Sequence, residues 1–258
     1  MAWDEGVPRA EALNHIMTAL RVAFDLDGTL ADLLLAYSKI EMELFGPAET
    51  HHEEPAPEVR EAEQGTGSAL PGGKPAGESA EKTSPFHPAR FQRERVWRAI
   101  EAIPDFWMTL QPIEPGAIRR LFELSEEYKW EVFFITQRHA TAGATVQQQT
   151  HRWLVEQGFE TPSVIPLSGG RGRAASALLL DFLIDNSPQN CVDVLSDYST
   201  HTILLVDPAN PEAADRARRI GVGVAHSVGE ALDLLVQATT ARLNPTLFEK
   251  LRRMVGWK

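Results

Sequence analysis

RVAFDLDGTLAD, Arg21–Asp32, is the stretch that organises the reading of the whole chain. A short apolar run, Val22-Ala23-Phe24, leads into Asp25 and Asp27, and Gly28 and Thr29 follow at once. Side chains on a strand alternate between faces, so Asp25 and Asp27 can project to one side. Gly28 permits a tight turn that a Cβ would hinder. The expectation is a pair of carboxylates where a strand ends and the chain turns, and in open α/β sheets ligands bind beyond the carboxyl ends of the strands. The plainer alternative is an acidic turn whose Asp or Thr caps the next helix.

Working outward, the chain alternates strand and helix patterns. Leu30–Phe45 is predicted to be a helix, with Leu30, Leu33, Leu34, Tyr37, Ile40, Leu44 and Phe45 recurring at three- and four-residue steps, and Gly46-Pro47 ends it. Arg90–Ile103 reads as a helix with Phe91, Val96, Trp97, Ile100 and Ile103 on one side. Phe106-Trp107-Met108 is read as core in preference to a substrate-facing patch, and Pro115-Gly116 opens a helix that buries Ile118, Leu121, Phe122 and Leu124. Strands are predicted at Trp130–Ile135, Ser163–Leu167, Phe182–Asp185, Thr202–Val206 and Val222–Ala225. The helices between and after them are Ala144–Gln157, Arg173–Leu180, Ser187–Tyr198, Pro211–Ile220 and Val228–Gln237. Continuously apolar strands alternating with helices imply an α/β fold with a doubly wound, mainly parallel, Rossmann-like sheet covered on both faces.

Two segments break the pattern. Residues 47–88 are rich in Pro, Gly, Glu and Ala and poor in large apolar side chains. Such a run cannot bury enough surface to offset the entropy of ordering, so it is expected to be a disordered insertion. His51-His52-Glu53-Glu54 within it reads as a solvated loop. At the ends, Ala10–Leu20 reads as a short helix packed on the core's edge, with His15 at the surface, and Leu243–Lys258 reads as an amphipathic helix docked on the core.

The 258 residues carry a net charge of −11, from 36 acidic and 25 basic side chains. That balance argues against a nucleic-acid polymer and against an anionic membrane surface as partner. It leaves room for a small phosphorylated substrate, because a metal can supply local positive charge. Cys191 is the single cysteine, so no internal disulfide is possible. No apolar run approaches the length of a membrane span, and the acidic start MAWDEGVPRAEAL lacks the apolar stretch of a signal peptide. A cytoplasmic protein is expected. Oligomeric state is not encoded legibly.

DLDGTLAD resembles the first signature of the haloacid dehalogenase (HAD) superfamily, most of whose members are magnesium-dependent phosphatases. The resemblance implies three further sites, and the chain offers one for each. Thr136 ends the strand in FFITQR, matching the second motif, a Ser or Thr at a strand end that binds a phosphoryl oxygen. SGGRGRAAS supplies the third, a cation near the start of the helix before the fourth strand, with Arg173 the better fit and Arg171 the reserve. Asp185-Asn186 supplies the fourth, the acid that ligates magnesium, with an amide where a second aspartate is common. The likeness covers about residues 21–225 without the 47–88 loop. It implies a core of 1–30 and 115–240, a small helical cap at 31–114 inserted after the first strand, and a separate helix at 241–258. Asp105–Ala117 and IDNSPQN are also similar to the 5′(3′)-deoxyribonucleotidase group.

By this resemblance Asp25 would attack phosphorus, Asp27 would act as general acid and then base, and Thr136 and Arg173 would hold phosphoryl oxygens. Asp25, Asp185 and the backbone carbonyl of Asp27 would bind Mg2+, with Asn186 as a further oxygen donor. The substrate would be a small phosphomonoester such as a nucleoside monophosphate. Two other classes are compatible with the sequence: a catalytically weak phosphate-binding module on this fold, and an interaction protein that recruits partners through the acidic 47–88 loop.

Overall fold

A computed structural model describes residues 19–47, 88–197, 200–242 and the single positions 246, 250 and 253. The expected helix at 10–20 except for Ala19 and Leu20, which are not helical, nearly all of the 47–88 insertion and most of the 243–258 helix lie outside the described residues.

Six strands form one sheet in the order β3-β2-β1-β4-β5-β6: β1 (Arg21–Asp25), β2 (Glu131–Thr136), β3 (Ser163–Pro166), β4 (Phe182–Asp185), β5 (His201–Leu205) and β6 (Gly223–Ala225). All pairs are parallel. Val22, Ala23 and Phe24 in β1 and Phe182–Asp185 in β4 are buried on both faces, which accounts for their unbroken apolar runs. Helices α1 (Leu33–Phe45), α2 (Pro88–Ala102), α3 (Ala117–Tyr128), α4 (Val146–Glu156), α5 (Arg171–Ala177), α6 (Pro188–Asp197), α7 (Pro211–Ile220) and α8 (Val228–Arg242) connect and cover the strands. The expected α/β architecture is the observed one.

The two faces of the sheet are filled differently. Val22, Phe24, Phe134, Phe182 and Ile184 join the larger cluster, with Trp107, Leu121, Trp153, Leu232 and Leu235. On the opposite face Ala23, Ile135 and Leu183 pack against Ala174, Ala175, Leu180 and Val194 of the α5–α6 region. Alternation along a strand puts residues 23 and 25 on one face, and likewise 183 and 185. Asp25 and Asp185 therefore emerge on the α5 side. In register Phe24 lies opposite Ile184 and Asp25 opposite Ile135, so the ends of β1, β2 and β4 are level.

Several boundaries move from their expected places. Helix α1 starts at Leu33 because Leu26–Ala31 closes a tight turn, with the amides of Leu30 and Ala31 both donating to the Leu26 carbonyl. Its cap is Asp32, whose side chain accepts from the Leu35 amide at 2.9 Å. Neither Asp25 nor Asp27 is spent on capping. Leu34 is 59% exposed and Leu44 is also exposed, so the buried stripe of α1 is narrower than the apolar spacing suggests. Phe91 in the first turn of α2 is likewise exposed, while Val96 and Ile100 are buried. Helix α8 runs through Arg242 rather than stopping at Gln237, because Ala238 and Ala241 continue its buried face. Phe106 and Trp107 form a buried 3-10 turn, as expected of core residues.

Candidate active site

The carboxyl ends of β1, β2 and β4 gather Asp25, Thr136 and Asp185, all buried. Helix α5 delivers a guanidinium to this point. Arg171, not Arg173, is the residue it delivers, and the preference for Arg173 is corrected. Gly170 is the N-cap, so the helix opens two residues earlier than its apolar spacing suggests, at Arg171. Arg171 then faces the sheet, 3% exposed, and Arg173 points to solvent.

Arg171 sits between two acids. Its Nη2 donates to Asp25 Oδ1, and its Nε lies 3.5 Å from Asp185 Oδ2. Like that Nε, which makes no hydrogen bond, its Nη1 is buried and has no hydrogen-bond partner among the described residues. A buried N–H of a charged group left without an acceptor is costly, so this atom marks a place for an anionic oxygen. Asp185 is held by two further donors, the Ser187 amide at 2.8 Å and Asn190 Nδ2 at 3.0 Å. Asn186 is exposed and turns toward the first turn of the chain, where its Oδ1 lies 3.3 Å from Thr29 Oγ1. Gly28, at φ 84°, lies under that amide, and a Cβ there would collide with it.

Close packing of α5 on α6 fixes the arginine. The Gly172 amide donates to Asp193 Oδ2 at 2.8 Å, and a Cβ on Gly172 would stand 2.8 Å from the Asp193 carbonyl oxygen. The glycines that blur the helix start in the sequence are thus what let Arg171 reach the strand ends.

Burial, and then the neighbouring charge of Asp185, push the Asp25 carboxyl well above its ordinary pKa, although Arg171 pulls it down. Burial also raises Asp185, against Arg171 and the Ser187 and Asn190 hydrogen bonds. Two buried, mutually repelling carboxylates sharing one guanidinium form a hard-oxygen donor set with negative charge still to offset. That suits a divalent cation such as Mg2+, which takes one or two carboxylates and keeps other positions for water and substrate. Among the described residues no group of three or more His, Cys, Asp or Glu is placed to hold an ion, so the protein offers two carboxylates and not a closed cage.

Asp27 stands at the mouth with a different partner, one that sequence reasoning missed. Arg138 Nε is 3.0 Å from both Asp27 oxygens and its Nη2 is 2.7 Å from Oδ1. The remaining Nη1 donates to Thr150 Oγ1 at 2.9 Å. The guanidinium lies over the Trp107 ring, 4.6 Å from its centroid, and 5.9 Å from that of Trp153. The only signal in the sequence was the position of Arg138 in FFITQR, two residues past Thr136 on the strand's alternation.

No family model matches the chain, and no curated protein matches it. Among solved structures it is similar to the crystal structure of a HAD family hydrolase from Deinococcus radiodurans R1 with bound phosphate and sodium. The likeness covers 87% of this chain and 96% of that one, at 15% identity and a TM-score of 0.50. The likeness is one of fold, a parallel α/β sheet flanked by helices. At one end of this sheet Asp25, Asp27, Thr136, Arg171 and Asp185 come together. Among the described residues no helix is long and apolar enough to cross a membrane.

Proposed function

We propose that this protein is a magnesium-dependent hydrolase of small phosphomonoesters that works through an aspartyl-phosphate. The observation that carries the reading is Arg171, buried between Asp25 and Asp185 with Nη1 and Nε making no hydrogen bond among the described residues, at the strand ends where a phosphoryl group would sit. The phosphate bound by the similar Deinococcus hydrolase agrees with it.

In this mechanism an Asp25 oxygen attacks phosphorus and the bond to the substrate's leaving oxygen breaks. That oxygen takes a proton from Asp27. Water then attacks the same phosphorus and gives its proton to Asp27, and the acyl–phosphate bond breaks to free Asp25 and inorganic phosphate. Arg171 and the Thr136 hydroxyl hold the equatorial oxygens. Asp25, Asp185 and the Asp27 carbonyl would hold Mg2+, with Asn186 a further oxygen donor, and when bound it supplies charge neutralisation to the phosphoryl group. The α1–α2 pair, joined by the edge-to-face contact of Tyr37 and Trp97 at 5.9 Å, would act as the cap that selects the substrate, a nucleoside monophosphate being our first choice.

The test is phosphate release from 4-nitrophenyl phosphate and a panel of nucleoside monophosphates, with Mg2+ or with EDTA. Metal-dependent release supports the reading. A folded protein that releases no phosphate from any of them would contradict it and favour a binding module on this fold.

A further inference from the structure

The geometry points to Arg138 as the residue that positions Asp27 for proton transfer, and so as the residue that sets how basic a leaving group the site can expel. The inference rests on the phosphatase reading above and concerns its proton step.

Arg138 is unsuited to touching substrate. Its side chain is 0% exposed, while that of Asp27 in front of it is 15% exposed. Each of its three nitrogens already has an acceptor, Nε and Nη2 on Asp27 and Nη1 on Thr150. The platform beneath it is itself pinned. Trp107 Nε1 donates to the His139 carbonyl at 3.0 Å, and the Trp107 amide donates to Gln149 Oε1 at 3.1 Å. Gln149 Nε2 in turn donates to the Ala144 carbonyl at 2.6 Å and to Thr141 Oγ1 at 3.0 Å. Trp153 is anchored through its Nε1 to the Leu110 carbonyl at 2.8 Å. A planar fork on a fixed aromatic face leaves a carboxylate little freedom to rotate.

The contacts are also unequal. Asp27 Oδ1 receives both Nη2 and Nε, whereas Oδ2 receives only Nε. The single Nε–H is shared between the two oxygens and Oδ1 alone also takes Nη2, so Oδ2 keeps the greater free lone-pair capacity. Oδ2 is therefore the oxygen that carries the proton to the leaving group and later takes one from water. Arg138 holds the other oxygen and fixes where Oδ2 points.

A positioning role of this kind has a signature that a purely structural role lacks. Phenyl phosphate and 4-nitrophenyl phosphate fill a site almost identically, but the phenolate of the first is far more basic and needs the proton to depart. The ratio kcat/KM reports steps up to the first irreversible one, here the loss of that group. For Arg138→Met, which keeps an apolar stem over Trp107, kcat/KM on phenyl phosphate should fall by about 10²–10³-fold, and on the nitro ester by about tenfold or less. Asp27→Asn should show the same selectivity, and the double variant should be no worse than Asp27→Asn alone. Arg138→Lys keeps the charge without the fork, so it tests the geometry should the Met variant not fold, and it should show the same preference in weaker form. Equal losses on both esters in the Arg138 variants, with the wild type active on both, would overturn this inference and leave the phosphatase reading standing. A wild type that hydrolyses neither ester would overturn both.

Discussion

The mouth of the sheet holds two aspartate–arginine pairs, and they are built to opposite purposes. Asp25 and Arg171 lie deep on the α5 face, where the arginine is shared with Asp185 and keeps a buried N–H unmatched. Asp27 and Arg138 lie toward the Trp107 face, where the arginine's donors are matched by Asp27 and Thr150. A guanidinium with unpartnered nitrogens has capacity for a further acceptor. One whose every nitrogen is engaged by the chain holds a residue of the chain in place. The two pairs stand side by side because Asp25 closes a strand whose alternation aims it at α5, while Asp27 lies beyond the strand, in the turn.

The comparison breaks most visibly if Arg171 is removed. Arg171→Met should lower kcat/KM by about 10²–10³-fold through loss of a donor to the phosphoryl group. It should also weaken binding of inorganic phosphate, which calorimetry on the wild type and variant would measure. A variant that binds phosphate as the wild type does would make Arg171 a partner of the acids only.

A smaller effect is expected from Gly172→Ala. The added Cβ meets the Asp193 backbone oxygen at 2.8 Å, so α5 and α6 must separate. Overpacking of this kind costs about 1–3 kcal/mol, to be read from denaturant melts. Because the shift moves Arg171, activity should fall more than stability alone explains, while the Arg138 pair is untouched.

The smallest change sharpens the contrast from the other side. Thr150→Val removes the acceptor for Arg138 Nη1 at nearly constant volume, giving Arg138 the unmatched buried N–H that Arg171 has. Stability should drop by about 1–3 kcal/mol, the cost of an unsatisfied buried donor. Turnover should change little, since the three Asp27 contacts survive. A large loss of activity with unchanged stability would place Thr150 in the chemistry.

Much of this was legible in the sequence, for definite reasons. Asp25, Thr136 and Asp185 each close a short apolar run, and a parallel sheet brings such ends to one edge. The all-parallel order followed from strand–helix alternation. The register of α5 was not legible, because Gly170 caps without a side chain and the glycines around Arg171 carry no periodic signal. Choosing between Arg171 and Arg173 needed the packing of Gly172 on Asp193. The Arg138–Asp27 pair joins residues 111 positions apart, and nothing local in FFITQR announces its partner. The exposed Leu34 and Phe91 misled for the reverse reason. Their spacing is helical and apolar, but burial depends on how far the core extends beneath them.

The central claim is that Asp25 takes the phosphoryl group onto itself. Acid quenching of the Asp27→Asn variant during turnover of 4-nitrophenyl phosphate with Mg2+, followed by peptide mass analysis, tests it most directly. The first step needs little help with that leaving group and the second lacks its base, so the intermediate should accumulate. The account predicts one added phosphoryl group on the peptide containing Asp25, absent when Asp25 is also changed to Asn. Turnover with no phosphoryl group on that peptide, or with it on another residue, would contradict the account.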